Sequence, residues 1–191
     1  MSDGIIWGIE EGDSVDWPLH KFVYDKKADK WNKEPVCVMV SGHMDWTQNL
    51  FDVHYKPVLE RCLLAGCKFV VGAASGVDAM AQKFLASQDP KVDVTIYDKK
   101  TTGNMLIGAG HFKVNVEAST FAKRDEAMTT ASDIDAVFLS QYGGPGSATA
   151  ENLFRRARLN AAKSLGVATL SEHMVPYSPE LRKHCVSMED K

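Results

Sequence analysis

Val36-Cys37-Val38-Met39-Val40 is a continuous apolar, largely β-branched run between Pro35 and Ser41-Gly42, and it constrains the fold more than any other feature of the chain. An alternating run would mark a strand with one wet face. An unbroken one marks a strand buried on both faces, the condition of a parallel sheet covered by helices. Lys68-Phe69-Val70-Val71-Gly72, Val92-Asp93-Val94-Thr95-Ile96-Tyr97, Ala136-Val137-Phe138-Leu139 and Gly166-Val167-Ala168-Thr169-Leu170 read as strands two to five. Helical patterns lie between them. The first spans about Phe51 to Leu64 with Val53, Val58, Leu59, Leu63 and Leu64 on its apolar face, and the second holds Val77, Met80, Ala81, Phe84 and Leu85. A third runs from about Ala118 to Ser132 and a fourth to about Lys163. Strands alternating with helices of this length imply βαβ units, hence an α/β fold with a doubly wound, mostly parallel sheet.

Residues 1–34 depart from that pattern, with Ile6, Trp7, Trp17, Phe22-Val23-Tyr24 and Trp31 set among acidic, turn-rich stretches. Asp25-Lys26-Lys27-Ala28-Asp29 has the composition of a hairpin turn. The expected organisation is therefore a short N-terminal β extension over residues 1–34 and one domain over residues 35–191. The length of 191 residues fits a single domain with some surplus.

Charge and cysteine usage narrow the classes. Residues 1–34 carry 8 acidic side chains against 5 lysines, whereas the remaining residues balance 17 against 17. No basic surplus announces duplex nucleic acid. Cys37, Cys62, Cys67 and Cys185 include no C-x-x-C pair and read as free thiols. The six histidines lack zinc-ligand spacing, so no metal is expected. The longest weakly charged stretch, Phe69 to Ala81, is glycine-interrupted and short of the roughly 20 apolar residues that cross a bilayer. With no secretory pattern at the N-terminus, the expected location is cytoplasmic, away from membranes.

In an open parallel sheet, ligands sit outside the carboxyl ends of the strands. There the chain places Ser41-Gly42 with His43 and Asp45, then Ser75-Gly76-Val77-Asp78, then Gly143-Gly144-Pro145-Gly146-Ser147 opening a helix. Glycines let backbone approach a ligand closely, and a helix N-terminus aims free N–H groups at an anion. Ser75 and Asp78 equally fit a capping box, and Glu151 equally fits the favoured charge of a first helical turn. Trp46 is placed to stack a base or to pack in the core. Arg155, Arg156 and Arg158 read as a solvated face or a subunit contact. Neither G-x-x-x-x-G-K-[ST] nor G-x-G-x-x-G after strand one is present.

Three segments over about residues 36–170 resemble the SLOG superfamily of Rossmann-like proteins, which includes the lonely-guy phosphoribohydrolases, DprA and YspA-type proteins. Gly72-Ala73-Ala74-Ser75-Gly76-Val77-Asp78 is similar to the G-G-A-x-G-x-D turn of the YspA and DprA branches. Lys123-Arg124-Asp125-Glu126-Ala127-Met128 is similar to the R-K-x-x-M helix of the phosphoribohydrolases, and Gly143 to Glu151 resembles P-G-G-x-G-T-x-x-E. Tyr142 replaces the motif proline, Ser147 the threonine and Asp125 the lysine, and Glu151 falls one residue late behind Thr149 and Ala150. The resemblance implies a Rossmann-like fold, Arg124 and Glu151 as the catalytic pair if there is one, and Gly143, Gly144, Gly146 and Ser147 as a phosphate cradle. Ser41, Gly42, Ser75, Gly76, Asp78 and Thr149 complete the expected ligand-binding set.

The main expectation is a sensor or carrier module that binds a nucleotide or nucleotide-derived ligand. The alternatives are a nucleoside 5′-monophosphate phosphoribohydrolase that releases free base, and a single-strand DNA-processing accessory, against which the neutral charge balance argues. The expected partner is a small-molecule nucleotide, with a homodimer implied by the resemblance, no cofactor, and no duplex nucleic acid.

Overall fold

The structure is a computed structural model that describes residues 5–8, 19–25, 27–88, 92–100, 112–138 and 147–164. Three strands, β1 (Ile5–Gly8), β2 (His20–Asp25) and β3 (Lys30–Pro35), form an antiparallel sheet in the order β1-β2-β3. The β2–β3 turn is held by Asp25, whose carboxylate accepts the Lys27 and Ala28 N–H groups at 2.9 and 3.2 Å. An aspartate that bonds the backbone two and three residues on closes a turn by itself, as the sequence predicts for this segment.

The second sheet has five strands: β4 (Cys37–Ser41), β5 (Lys68–Gly72), β6 (Val94–Lys99), β7 (Lys113–Ala118) and β8 (Ile134–Val137). Their order is β7-β6-β5-β4-β8 and every pair is parallel. Four helices flank it: α1 (Gln48–Leu64), α2 (Val77–Ala86), α3 (Phe121–Ala131) and α4 (Ala148–Ser164). This is the expected α/β architecture with its small β extension. On one face Val38, Val40, Phe69, Val71 and Ile96 pack with Phe51, Tyr55 and Leu59 of α1 and Val77, Ala81 and Leu85 of α2. On the other, Met39 and Val70 pack against Met128 of α3. The unbroken apolar run of β4 thus feeds two cores at once.

Three expectations are corrected. The buried face of α1 is Phe51, Tyr55, Leu59 and Cys62, while Val53 is 60% and Leu64 90% exposed. The aromatic pair at i and i+4 sets the rotation of the helix, and Val53 is turned away by it. β7 lies inside what reads as a loop, because Val114 and Val116 are its only large apolar residues and both are exposed on an edge strand. Arg156 is not solvated: it is buried and bonds Asp135 at 2.8 Å and the Ser132 carbonyl at 2.8 Å, tying α4 to β8 and to the end of α3. The expected strand over residues 166–170 and the glycine-bearing segment around Gly103, Gly108 and Gly110 lie outside the described residues.

The two sheets are stitched at Asp133. Its carboxylate accepts the Lys21 ammonium at 2.9 Å and the Cys37 N–H at 2.8 Å, while the Val36 N–H bonds the Leu19 carbonyl at 3.1 Å. A cavity of about 390 Å³ opens beside this joint at the amino ends of the strands, lined in part by Lys21, Lys68, Asp93, Tyr97 and Asp133.

Candidate functional site at the carboxyl edge of the sheet

From β4 the chain builds outward through β5, β6 and β7 and then returns to β8 on the other side of β4. The strand order therefore reverses between β4 and β8, and a crevice at such a reversal is where this kind of sheet receives ligands. Tyr55 stands where the ends of β4 and β8 part. Its hydroxyl donates to the Ser41 carbonyl at 2.8 Å and accepts the Phe138 N–H at 3.1 Å, bridging the two strand ends where they part. Burial pushes the Tyr55 hydroxyl well above the ordinary tyrosine range, so it stays a donor.

Rings cluster around Tyr55. Trp46 meets His54 and Tyr55 edge-on at 5.4 and 5.3 Å, and Phe138 meets Tyr55 at 4.8 Å. Among the described residues, Ser41 Oγ, His43 Nε2 and Trp46 Nε1 are buried there without a hydrogen-bond partner. Burial lowers the His43 pKa, with Asp45 opposing, so its imidazole is neutral at pH 7. Buried polar atoms are normally paired, and such orphans mark where a polar group is to be received.

The turns after β4 and β5 are tight. A Cβ on Gly42 would stand 2.4 Å from the Tyr55 hydroxyl, and one on Gly76 2.5 Å from the Met44 Cα. The Val77 N–H at the start of α2 is taken by the His43 carbonyl at 3.3 Å, and Ser75 is exposed beside it. Asp78, buried in the first turn of α2, accepts the Ala74 N–H at 3.2 Å. Gly72 lies against it, since a Cβ there would stand 2.2 Å from the Asp78 carboxylate.

Arg124 reaches this turn from α3. Its Nη2 is 2.7 Å from Asp125 and its Nη1 is 4.0 Å from Asp78 Oδ2, all three side chains being at most 9% exposed. Among the described residues the ion-pair partners of Arg124 are Asp78 and Asp125. Desolvation raises the Asp78 carboxyl to about 6 even with Arg124 beside it. At the start of α4 the Ser147 hydroxyl accepts the Ala150 N–H at 3.2 Å; Thr149 is buried and Glu151 half-buried in that first turn. Gly143, Gly144 and Gly146 lie outside the described residues.

At the far end of the same edge stands Phe121, the first residue of α3 and 45% exposed. The Lys99 ammonium lies 4.6 Å and the Arg124 guanidinium 5.2 Å from its ring centroid. Phe121, Tyr55 and the pairing of Arg124 with Asp125 are not recognised in the sequence. The Arg-Asp dipeptide is a visible signal, but which ring meets which strand end is a tertiary fact. Among the described residues no three His, Cys, Asp or Glu side chains are grouped as a metal would require, and no helix is long and apolar enough to cross a membrane.

No family model and no curated protein matches the chain. A solved structure similar to it is that of DNA processing protein A from Helicobacter pylori, reported for its single-stranded DNA binding mode, with a TM-score of 0.46 and 15% identity over 96% of this chain and 89% of that one. Where the sequence leads to a small-molecule nucleotide as partner, with duplex nucleic acid set aside, this structure speaks instead for the single-strand alternative. The similar structure is that of a protein that binds single-stranded DNA. The described edge carries an exposed ring beside cations at one end and buried unpaired polar atoms at the other.

Proposed function

We propose that the chain binds single-stranded nucleic acid along the carboxyl edge of its five-stranded sheet. The observation that carries the reading is Phe121, a half-exposed ring at the rim with the Lys99 ammonium at 4.6 Å. Single-strand binders combine a cationic track for phosphates with rings on which bases stack. Lys100 follows the end of β6 and Lys123 lies in the first turn of α3, both exposed and next in the chain to the two cations that meet the ring. Arg124 supports the ring from the buried side. The edge runs from Phe121 at β7 and β6 to the unpaired polar atoms between β4 and β8, three strand spacings or about 14 Å. That length suits several nucleotides rather than one. The motif resemblance of residues 72–78 to the branch that contains DprA points to the same partner class.

The test is a fluorescence anisotropy titration with a labelled oligothymidylate of about 15 nucleotides at about 50 mM salt. Binding is expected for the single strand, and Phe121→Ala should weaken it by about 5- to 150-fold, the loss of one stacked base at roughly 1–3 kcal/mol. No binding to the wild-type protein, or equal affinity in the variant, rejects the reading.

A further inference from the structure

Cys62, in the last turn of α1, and Cys67, just before β5, lie at the end of the same helix. The Cys67 N–H bonds the Cys62 carbonyl at 2.9 Å, and Gly66 between them has a φ of +73°. This is a Schellman ending, which folds the backbone so that the two residues clasp side by side. Both side chains are buried, at 1% and 4% exposure. Both are free thiols. We propose that Cys62 and Cys67 are a dithiol that closes reversibly to a disulfide on oxidation by a hydroperoxide.

The roles are unequal. The neighbouring Cys67 thiol, together with the nearby Arg61 charge, holds the Cys62 thiol below its ordinary range, while Cys62 and burial push Cys67 up. Cys62 is therefore the attacking sulfur. Its thiolate takes the outer peroxide oxygen, the O–O bond breaks, and the alkoxide leaves with the proton released by the thiol. Cys62 is then a sulfenic acid. The Cys67 sulfur attacks it, the S–O bond breaks, and hydroxide leaves as water with the Cys67 proton. Two thiols lose two electrons; the peroxide becomes an alcohol and water. Access comes through the helix end, where Leu64 is 90% exposed and nothing stands within 4 Å of a Cβ on Gly66. Opening of that last turn admits the oxidant.

Closure reaches the joint between the sheets. The Cys67 thiol lies 3.7 Å from the Leu19 carbonyl, the residue that leads into β2. A disulfide sulfur has no proton to donate, so oxidation removes this contact and leaves the Val36 N–H as the carbonyl's partner.

The experiment treats the folded full chain with tert-butyl hydroperoxide, alkylates it and digests it with trypsin. Cleavage after Arg61 and Lys68 delivers both cysteines in one peptide, Cys62 to Lys68. The expected product is that peptide, unalkylated and lighter by two hydrogens, with full alkylation restored by dithiothreitol. In Cys67→Ser the reaction should stop at a Cys62 sulfenic acid that dimedone traps. Retention of both alkyl labels, overoxidation of Cys62 in the wild-type chain, or bonding to Cys37 or Cys185 overturns the proposal.

Discussion

Asp78 is a carboxylate whose burial outweighs the pull of Arg124 and the Ala74 N–H, leaving it at about 6. A folded value above the unfolded one means that the native state binds the proton more tightly. Stability is then highest below the unfolded value near 4 and falls as pH rises to about 6, by on the order of 3 kcal/mol at roughly 1.4 per unit. Asn at this position keeps an acceptor for Ala74 and never ionises. Between pH 4 and pH 7 the unfolding free energy of Asp78→Asn should therefore gain about 2–3 kcal/mol relative to the wild type, read from urea melts at both values. A difference that does not change with pH would count against the burial argument. Two glycines separate backbone strain from crowding at the same scale. Gly66 and Gly76 both have a φ of +73°, but only Gly76 has neighbours within 3 Å of a would-be Cβ. Gly66→Ala should cost about 1–2 kcal/mol from strain alone, and Gly76→Ala about 2–5 in equilibrium denaturation.

α1 is the element in which the sequence reading and the structure diverge most, and the divergence is measurable. Leu59 is fully buried whereas Val53 is 60% exposed. Leu59→Ala should lose about 2–5 kcal/mol and Val53→Ala less than about 0.5, whereas the face read from the sequence would make the two costs alike. Tyr55→Phe should cost about 1–3 kcal/mol, because it strips a partner from both the Ser41 carbonyl and the Phe138 N–H. The strands β4 and β5 are legible in the chain because burial on two faces demands unbroken apolar runs, β6 is legible from its alternating β-branched residues, and β8 only in Ala136 and Val137. β7 is not, because an edge strand exposes what its neighbours bury. Ser41, Gly42, Gly76 and Asp78 can be placed near the carboxyl edge from the fold rule alone. What they touch there is not legible, since Tyr55 is 14 residues from Ser41 and 83 from Phe138 along the chain.

For the whole molecule, a formal charge of -3 resists a polyanion, and the excess acidity belongs to residues 1–34, where 8 carboxylates face 5 lysines. The balanced remainder makes attraction a local matter of Lys99, Lys100 and Lys123 around Phe121. If each neutralises one phosphate, the affinity for a single strand follows salt with a logarithmic slope of about -2, from roughly 0.7 per phosphate. Raising salt from about 50 to 200 mM then weakens binding about 15- to 20-fold. Replacing Lys100 and Lys123 together by Gln should flatten the slope to about -0.7, while Phe121→Ala should lower affinity with the slope unchanged, because stacking releases no counterions. A duplex of the same sequence offers no unstacked base to the ring, so it should bind more weakly and respond little to the loss of Phe121. Anisotropy titrations of the three proteins against both nucleic acids at several salt concentrations separate these terms. A slope that Phe121→Ala changes and the lysine pair leaves alone would place the phosphates elsewhere than on this edge.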